Sequence, residues 1–170
     1  MVTNRFVALA CLALLCACGQ AETPADLTEE DVAEELASVA LEPGRWEMRT
    51  QIVSAGGPLP QGVIDRLVGR QTSGSACITP EQAERPNGTF LQAQQGADCA
   101  YHAFDVADGR LTAEMTCTGG NLPARMQTQM SGSYTSAGYD LLLDMRTTGS
   151  GEEGAVQIRT RSVGRRTGDC

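Results

Sequence analysis

The chain has 170 residues, a formal net charge of −8, and 13 basic residues, all of them Arg, against 21 acidic ones. That length suits one domain, and the acidic balance argues against nucleic acid as a partner, because neutralising phosphates needs a basic face. Seven Cys with only 4% aromatic residues point to covalent staples in an oxidising compartment rather than a large aromatic core.

The N-terminus reads as an address. Met1 to Arg5 is a short segment with one positive charge, and Phe6 to Ala17 is an apolar run. This run is too short for a membrane span, which needs about 20 residues, and has the form of a secretory leader. It ends in Leu15-Cys16-Ala17-Cys18-Gly19, which resembles a bacterial lipobox. The resemblance implies cleavage before Cys18, lipidation of Cys18 and membrane attachment through several acyl chains, which anchor stably where one does not. Gly19 after the Cys favours sorting to the outer membrane. Ordinary cleavage, for example after Ala21, would instead release a free periplasmic protein. The expected division is a lipoprotein signal peptide over 1–17, an acidic tether with a short helix over 18–42, and a disulfide-stapled β domain over 43–170.

The tether carries eight acids and no base between Glu22 and Glu42, whereas 43–170 hold 12 Arg against 13 acids. Thr28 with Asp31 reads as an N-cap pair, with Leu27 and Val32 at hydrophobic-staple positions. Val32, Leu36 and Val39 recur at helical spacing, and Pro43-Gly44 is expected to end the helix. Such a helix serves either as a spacer held off anionic lipid or as a solvated helix lying on the domain edge.

The body reads as antiparallel β. Trp46, Met48, Thr50 and Ile52 alternate with Glu47, Arg49 and Gln51. A loop over 54–62 leads to a short helix around Val63 to Val68. Thr79-Pro80-Glu81-Gln82 has the form of a helix start with a capping box. Asn87-Gly88-Thr89 reads as a turn. Residues 99–117 form a hairpin with Ala107-Asp108-Gly109 as a three-residue loop. Partner numbers summing to 216 place Cys99 opposite Cys117, Tyr101 opposite Met115, and Ala103 opposite Ala113 on one face. His102 then opposes Glu114, and Phe104 opposes Thr112, on the other. Cross-strand Cys at that spacing can bridge. With Cys11 and Cys16 in the leader and Cys18 acylated, Cys77–Cys170 follows by elimination.

A second hairpin turns at Thr135-Ser136-Ala137-Gly138. Tyr134 pairs with Tyr139, Met130 with Leu143 and Thr128 with Met145, while Gln127 with Arg146 and Gln129 with Asp144 form a polar face. Val156, Ile158 and Thr160 alternate in a last strand. At least six strands in a meander predict a mainly β fold: a curved sheet or incomplete barrel with one or two short helices, with a sandwich as the runner-up.

Six short signatures stand in order: Pro43-Gly44-Arg45-Trp46-Glu47, Cys77-Ile78-Thr79-Pro80-Glu81-Gln82-Ala83, Asp98-Cys99, Gly109-Arg110-Leu111 with Cys117, Gly132-Ser133-Tyr134-Thr135, and Gly168-Asp169-Cys170. Over about 43–170 this resembles the domain of unknown function 3617 family of proteobacterial envelope proteins. The resemblance implies a periplasmic location and carries no catalytic residues across.

Chemical candidates are few. The four domain Cys are too far apart in sequence for a zinc site. Gly149 to Gly154 matches G-x-G-x-x-G, but a strand-like segment follows and two Glu oppose a pyrophosphate. Neither a metal nor a cofactor is expected. His102 with Glu114 is the one candidate acid–base pair, more simply an exposed cross-strand pair. Asp140 and Asp144 are expected to pair with Arg159 and Arg161. Together with Arg165 and Arg166, these Arg form either a solvated strand face or a site for an anionic envelope component. Met126, Met130, Met145 and Tyr134 are core or the lining of an apolar pocket. The expected function is a non-enzymatic binding or interaction module on the periplasmic side of the membrane. The alternatives are a carrier of an apolar small molecule or lipid, and a hydrolase using His102.

Overall fold

The computed structural model describes residues 26–84, 97–119, 124–148 and 154–170. The expected leader, Cys18, the expected turn at Asn87–Thr89 and residues 149–153 of the glycine-rich motif lie outside the described residues.

The expected N-cap forms at Thr28. Its hydroxyl accepts from the Asp31 N–H at 3.2 Å, and the Asp31 carboxylate accepts from the Thr28 N–H at 2.8 Å. The Thr28 hydroxyl, which donates to the Asp31 carboxylate at 2.6 Å, and then the Thr28 N–H hold that carboxyl below its ordinary value. Helix α1 (Glu29–Ala37) follows and ends at Ser38, earlier than Pro43-Gly44, because Gly44 opens the first strand instead. Val32 and Leu36 are 2% and 3% exposed and sit in the main core, with Leu27 and Val39 packed against it. The acidic stretch therefore contains an integral helix of the domain, whose Glu30, Asp31, Glu34 and Glu35 face water while its apolar stripe faces the sheet.

The strands are β1 (Gly44–Gly56), β2 (Gln71–Ile78), β3 (Ala97–Ala107), β4 (Arg110–Gly119), β5 (Arg125–Thr135), β6 (Gly138–Thr148) and β7 (Ala155–Gly168). The short helices α2 (Gln61–Leu67) and α3 (Pro80–Glu84) flank β2. All seven strands join one antiparallel sheet in the order β2-β1-β7-β6-β5-β4-β3. The mainly β expectation holds. The meander runs from β3 to β7, and β1 then adds beside β7 with β2 outside it. The sheet is open and uncurled rather than an incomplete barrel. Closure would need β2 to meet β3, and these are its two edges. With α1 packed into the core cluster of the β3–β6 region, this half of the apolar face is buried without the sheet closing on itself.

The β5–β6 register matches the expected pairs throughout, including Tyr134↔Tyr139, Met130↔Leu143 and Thr128↔Met145. The β3–β4 hairpin departs from expectation after Tyr101. Cys99↔Cys117 and Tyr101↔Met115 pair as expected, but the register shifts at His102, and Ala103 pairs with Glu114 and Phe104 with Ala113. The turn is the two-residue Asp108-Gly109, with φ of 50° and 73°, not a three-residue loop; positive φ at both positions suits a type I′ turn. The cause is the placement of apolar residues. Uninterrupted alternation from Tyr101 would expose Phe104 and Val106, and one extra residue re-phases the strand so that both are buried, at 8%. At Gly164 a Cβ would run into the ring of Tyr139 across the strand, so glycine there gives the ring its seat.

Cys99–Cys117 and Cys77–Cys170 both stand at disulfide distance, with Cα separations of 4.1 and 5.8 Å. The second pair reaches across the start of β1: Arg45 is flanked by Cys77 on one side and Gly168 on the other. Arg166 reinforces this corner by donating to the Pro43 carbonyl at 2.7 Å and to Asp169.

Candidate functional site

Strand alternation sorts the sheet into two unlike faces. On one, Tyr101, Phe104, Val106, Leu111, Ala113, Met115, Met126, Met130 and Leu141 are buried in one cluster with Val32 and Leu36 of α1; Met145 and Tyr134 pack against it. The four residues expected as core or pocket lining are thus filled core or its margin. Thr128 lies within this face with a buried hydroxyl that has no partner among the described residues.

The other face is polar and carries two grooves. A groove of about 870 Å³ runs over β2, β1, β7 and β6, lined by Glu47, Arg49, Ser73, Ser75, Arg161 and Arg165 among others. A second of about 420 Å³ lies further along the same face, with Glu114, Gln127, Gln129, Asp144 and Arg159 in its wall. The expected ion pairs form between β6 and β7. Arg159 holds both oxygens of Asp144, and Arg161 holds both oxygens of Asp140. Such forked pairs fix side-chain direction as well as charge. The hydrogen bond from Arg161 keeps the Asp140 carboxyl below its ordinary 3.8; desolvation opposes this, and the charges of Arg161 and Arg165 add to it. Arg166 is spent on Pro43 and Asp169, so the four C-terminal Arg do not form one free cationic patch. The larger groove keeps Arg49 and Arg165 beside Glu47, together with hydroxyls and amides able to donate and accept.

An Arg161→Gln substitution is expected to raise the Asp140 pKa toward 3.8, read by NMR titration of the side-chain carboxyl. Because the folded pKa is lowered, the stabilisation from this pair is present above the unfolded pKa and is lost as pH falls through the lowered folded value. The pH dependence of unfolding in the variant should therefore flatten at the acidic end.

His102 does not face Glu114, because the bulge turns it away. Its Nδ1 lies 2.7 Å from an Asp26 oxygen and its Nε2 lies 2.9 Å from the Thr116 hydroxyl. Carboxylate, imidazole and hydroxyl stand in the order of a nucleophile relay, but Thr116 is only 6% exposed. The contact instead latches the chain before α1 onto the β3 edge, beside the Leu27–Tyr101 bridge.

Sequence reasoning missed β2 and with it Ser73 and Ser75. Gln71-Thr72-Ser73-Gly74-Ser75-Ala76 lacks the apolar alternation that marks a half-buried strand, because both its faces are exposed. The available signal was a Thr- and Ser-rich run between Gly69 and the cap at Thr79. Asp26 had no signal at all, since it meets His102 only through tertiary packing.

No curated protein and no solved structure matches the chain significantly. Residues 41–170 match the family model described as Protein of unknown function (DUF3617). That span takes in all seven strands and both cysteine pairs, so the ordered signatures from Pro43 to Cys170 are the chemical framework of this sheet, and the chain belongs to the DUF3617 family.

Proposed function

We propose that the chain is a lipid-anchored binding module of the cell envelope, exported and acylated at Cys18, non-enzymatic, and using its polar sheet face to hold a polar partner. The observation that carries this reading is the unequal treatment of the two faces. Over β3–β6 the apolar face is filled by α1 and its own side chains, whereas the polar face presents a groove of about 870 Å³ with guanidinium, carboxylate and hydroxyl groups along it. Specific sites of this kind combine concavity with convergent polar groups. The same asymmetry counts against a carrier of apolar molecules, which would need the Met126 and Met130 side open.

The test is isolation of the native protein from its own membranes, followed by intact mass and by mass spectrometry of whatever comes with it. A chain beginning at an acylated Cys18, and release of the Cys18→Ser variant into the soluble fraction, are expected. The co-isolated partner should be lost from an Arg49→Glu/Arg165→Glu double variant. A chain that retains Met1, or a bound apolar lipid that survives the double variant, overturns the reading. Hydrolysis through Asp26, His102 and Thr116 is the competing reading, favoured by the order of those groups; ester turnover abolished by His102→Ala would establish it.

A further inference from the structure

The two edges of the sheet are treated differently. Exposed edges invite pairing with another chain, and proteins blunt them with bulges, charge or cover. The β3 edge has all three: the bulge at His102, the charges of Asp98 and Asp105, and the Leu27 backbone hydrogen-bonded to Tyr101 at 2.8 Å. The β2 edge has none. From Gln71 to Cys77 every residue is exposed, none is charged, none is Pro, and nothing among the described residues pairs with its outer side.

The Ile52 N–H donates to the Arg70 carbonyl at 3.0 Å, which marks 52 and 70 as a hydrogen-bonded pair in the β1–β2 register. Alternation along the ladder then turns Thr72, Gly74 and Ala76 toward β1, and leaves the N–H and C=O groups of Gln71, Ser73, Ser75 and Cys77 pointing outward.

We infer that this edge pairs with the same strand of a second copy, antiparallel about a two-fold axis at Gly74. In that register Ser73 exchanges hydrogen bonds with the partner's Ser75, and Gln71 with the partner's Cys77. Thr72 faces the partner's Ala76, and Gly74 faces itself. Every outward group from 71 to 77 is used, and no bulky or like-charged side chains oppose each other. Sliding by two residues either way leaves one end unpaired. The surroundings select a second copy over other extended segments. One end of β2 is flanked by Arg66 and Arg70, net positive after Asp65, and the other by Glu81 and Glu84 of α3. The two-fold axis sets each end against its opposite. It also brings the large polar grooves of the two copies side by side, since Ser73 and Ser75 line them.

The test uses the complete chain carrying Cys18→Ser, so that no acyl group can gather copies. Sedimentation should show a reversible monomer–dimer equilibrium at roughly 100 µM, a range suited to an interface smaller than about 1,200 Å². Ser73→Pro removes an outward N–H without touching the β1 ladder, and Ser75→Lys charges the edge; each should lower the dimer fraction at least tenfold. Arg70→Glu should weaken the dimer, and Glu81→Arg added to it should restore it. A Cβ at Gly74 meets nothing within 4 Å, so Gly74→Cys should give a disulfide-linked dimer on mild oxidation, whereas Thr72→Cys should not. A chain that stays monomeric at that concentration, a dimer indifferent to Ser73→Pro and Ser75→Lys, or equal cross-linking at 72 and 74 overturns the inference.

Discussion

Replacing both Cys77 and Cys170 with Ser is expected to lower the unfolding free energy by about 4–5 kcal/mol, the largest effect of any pair in the domain. The two Cys are 93 residues apart in sequence, against 18 for Cys99 and Cys117. In the chain-entropy account a longer closed loop restricts the unfolded ensemble more, and the shorter loop is worth about 3 kcal/mol. Most small domains have only about 5–15 kcal/mol in total, so loss of the long bridge removes a large share of it. The position adds to the effect. The bridge holds the exposed β2 edge to the chain end across β1, where few apolar contacts would replace it. Urea unfolding of the two double-Ser variants, without reductant, measures both values. A smaller loss for the Cys77/Cys170 pair than for Cys99/Cys117 would refute the account.

Trp46→Ala is the second large effect, with an expected cost of about 3–5 kcal/mol for emptying the site of a buried ring. Trp46 is the only Trp in the chain and is 1% exposed. Its indole N–H donates to the Glu42 carbonyl at 3.0 Å, so truncation also leaves that acceptor without its donor. Glu42 in turn accepts from the Ser136 hydroxyl at 2.7 Å and donates its N–H to the Ser136 carbonyl at 2.8 Å. The ring therefore secures the entry to β1 against the β5–β6 turn. Because the variant has no Trp, circular dichroism in urea is the suitable readout. A midpoint shift with unchanged denaturant dependence is expected.

How much was legible from the residues follows from which interactions are local. The Thr28 and Thr79 capping boxes are three-residue devices and read directly. The β5–β6 register was readable because a two-residue turn and unbroken alternation leave one solution. The same logic failed in β3, where tertiary burial of Phe104 and Val106 forced a bulge that no local signal announced. It also failed for β2, a strand whose side chains are exposed and so carry no periodic apolar mark.

By itself the order of residues determined the β class, the Cys99–Cys117 pairing, the caps and the Asp–Arg pairs, because each rests on spacing along one element or between adjacent strands, and it left Cys77 to Cys170 by elimination. Only the tertiary structure decided that β1 enters between β2 and β7, that α1 packs into the apolar core while the sheet stays open, and that the grooves lie on the polar side. These depend on contacts between residues many positions apart, such as Asp26 with His102 and Glu42 with Ser136. Their free energy comes from burial and pairing in the assembled sheet, and no local pattern encodes that.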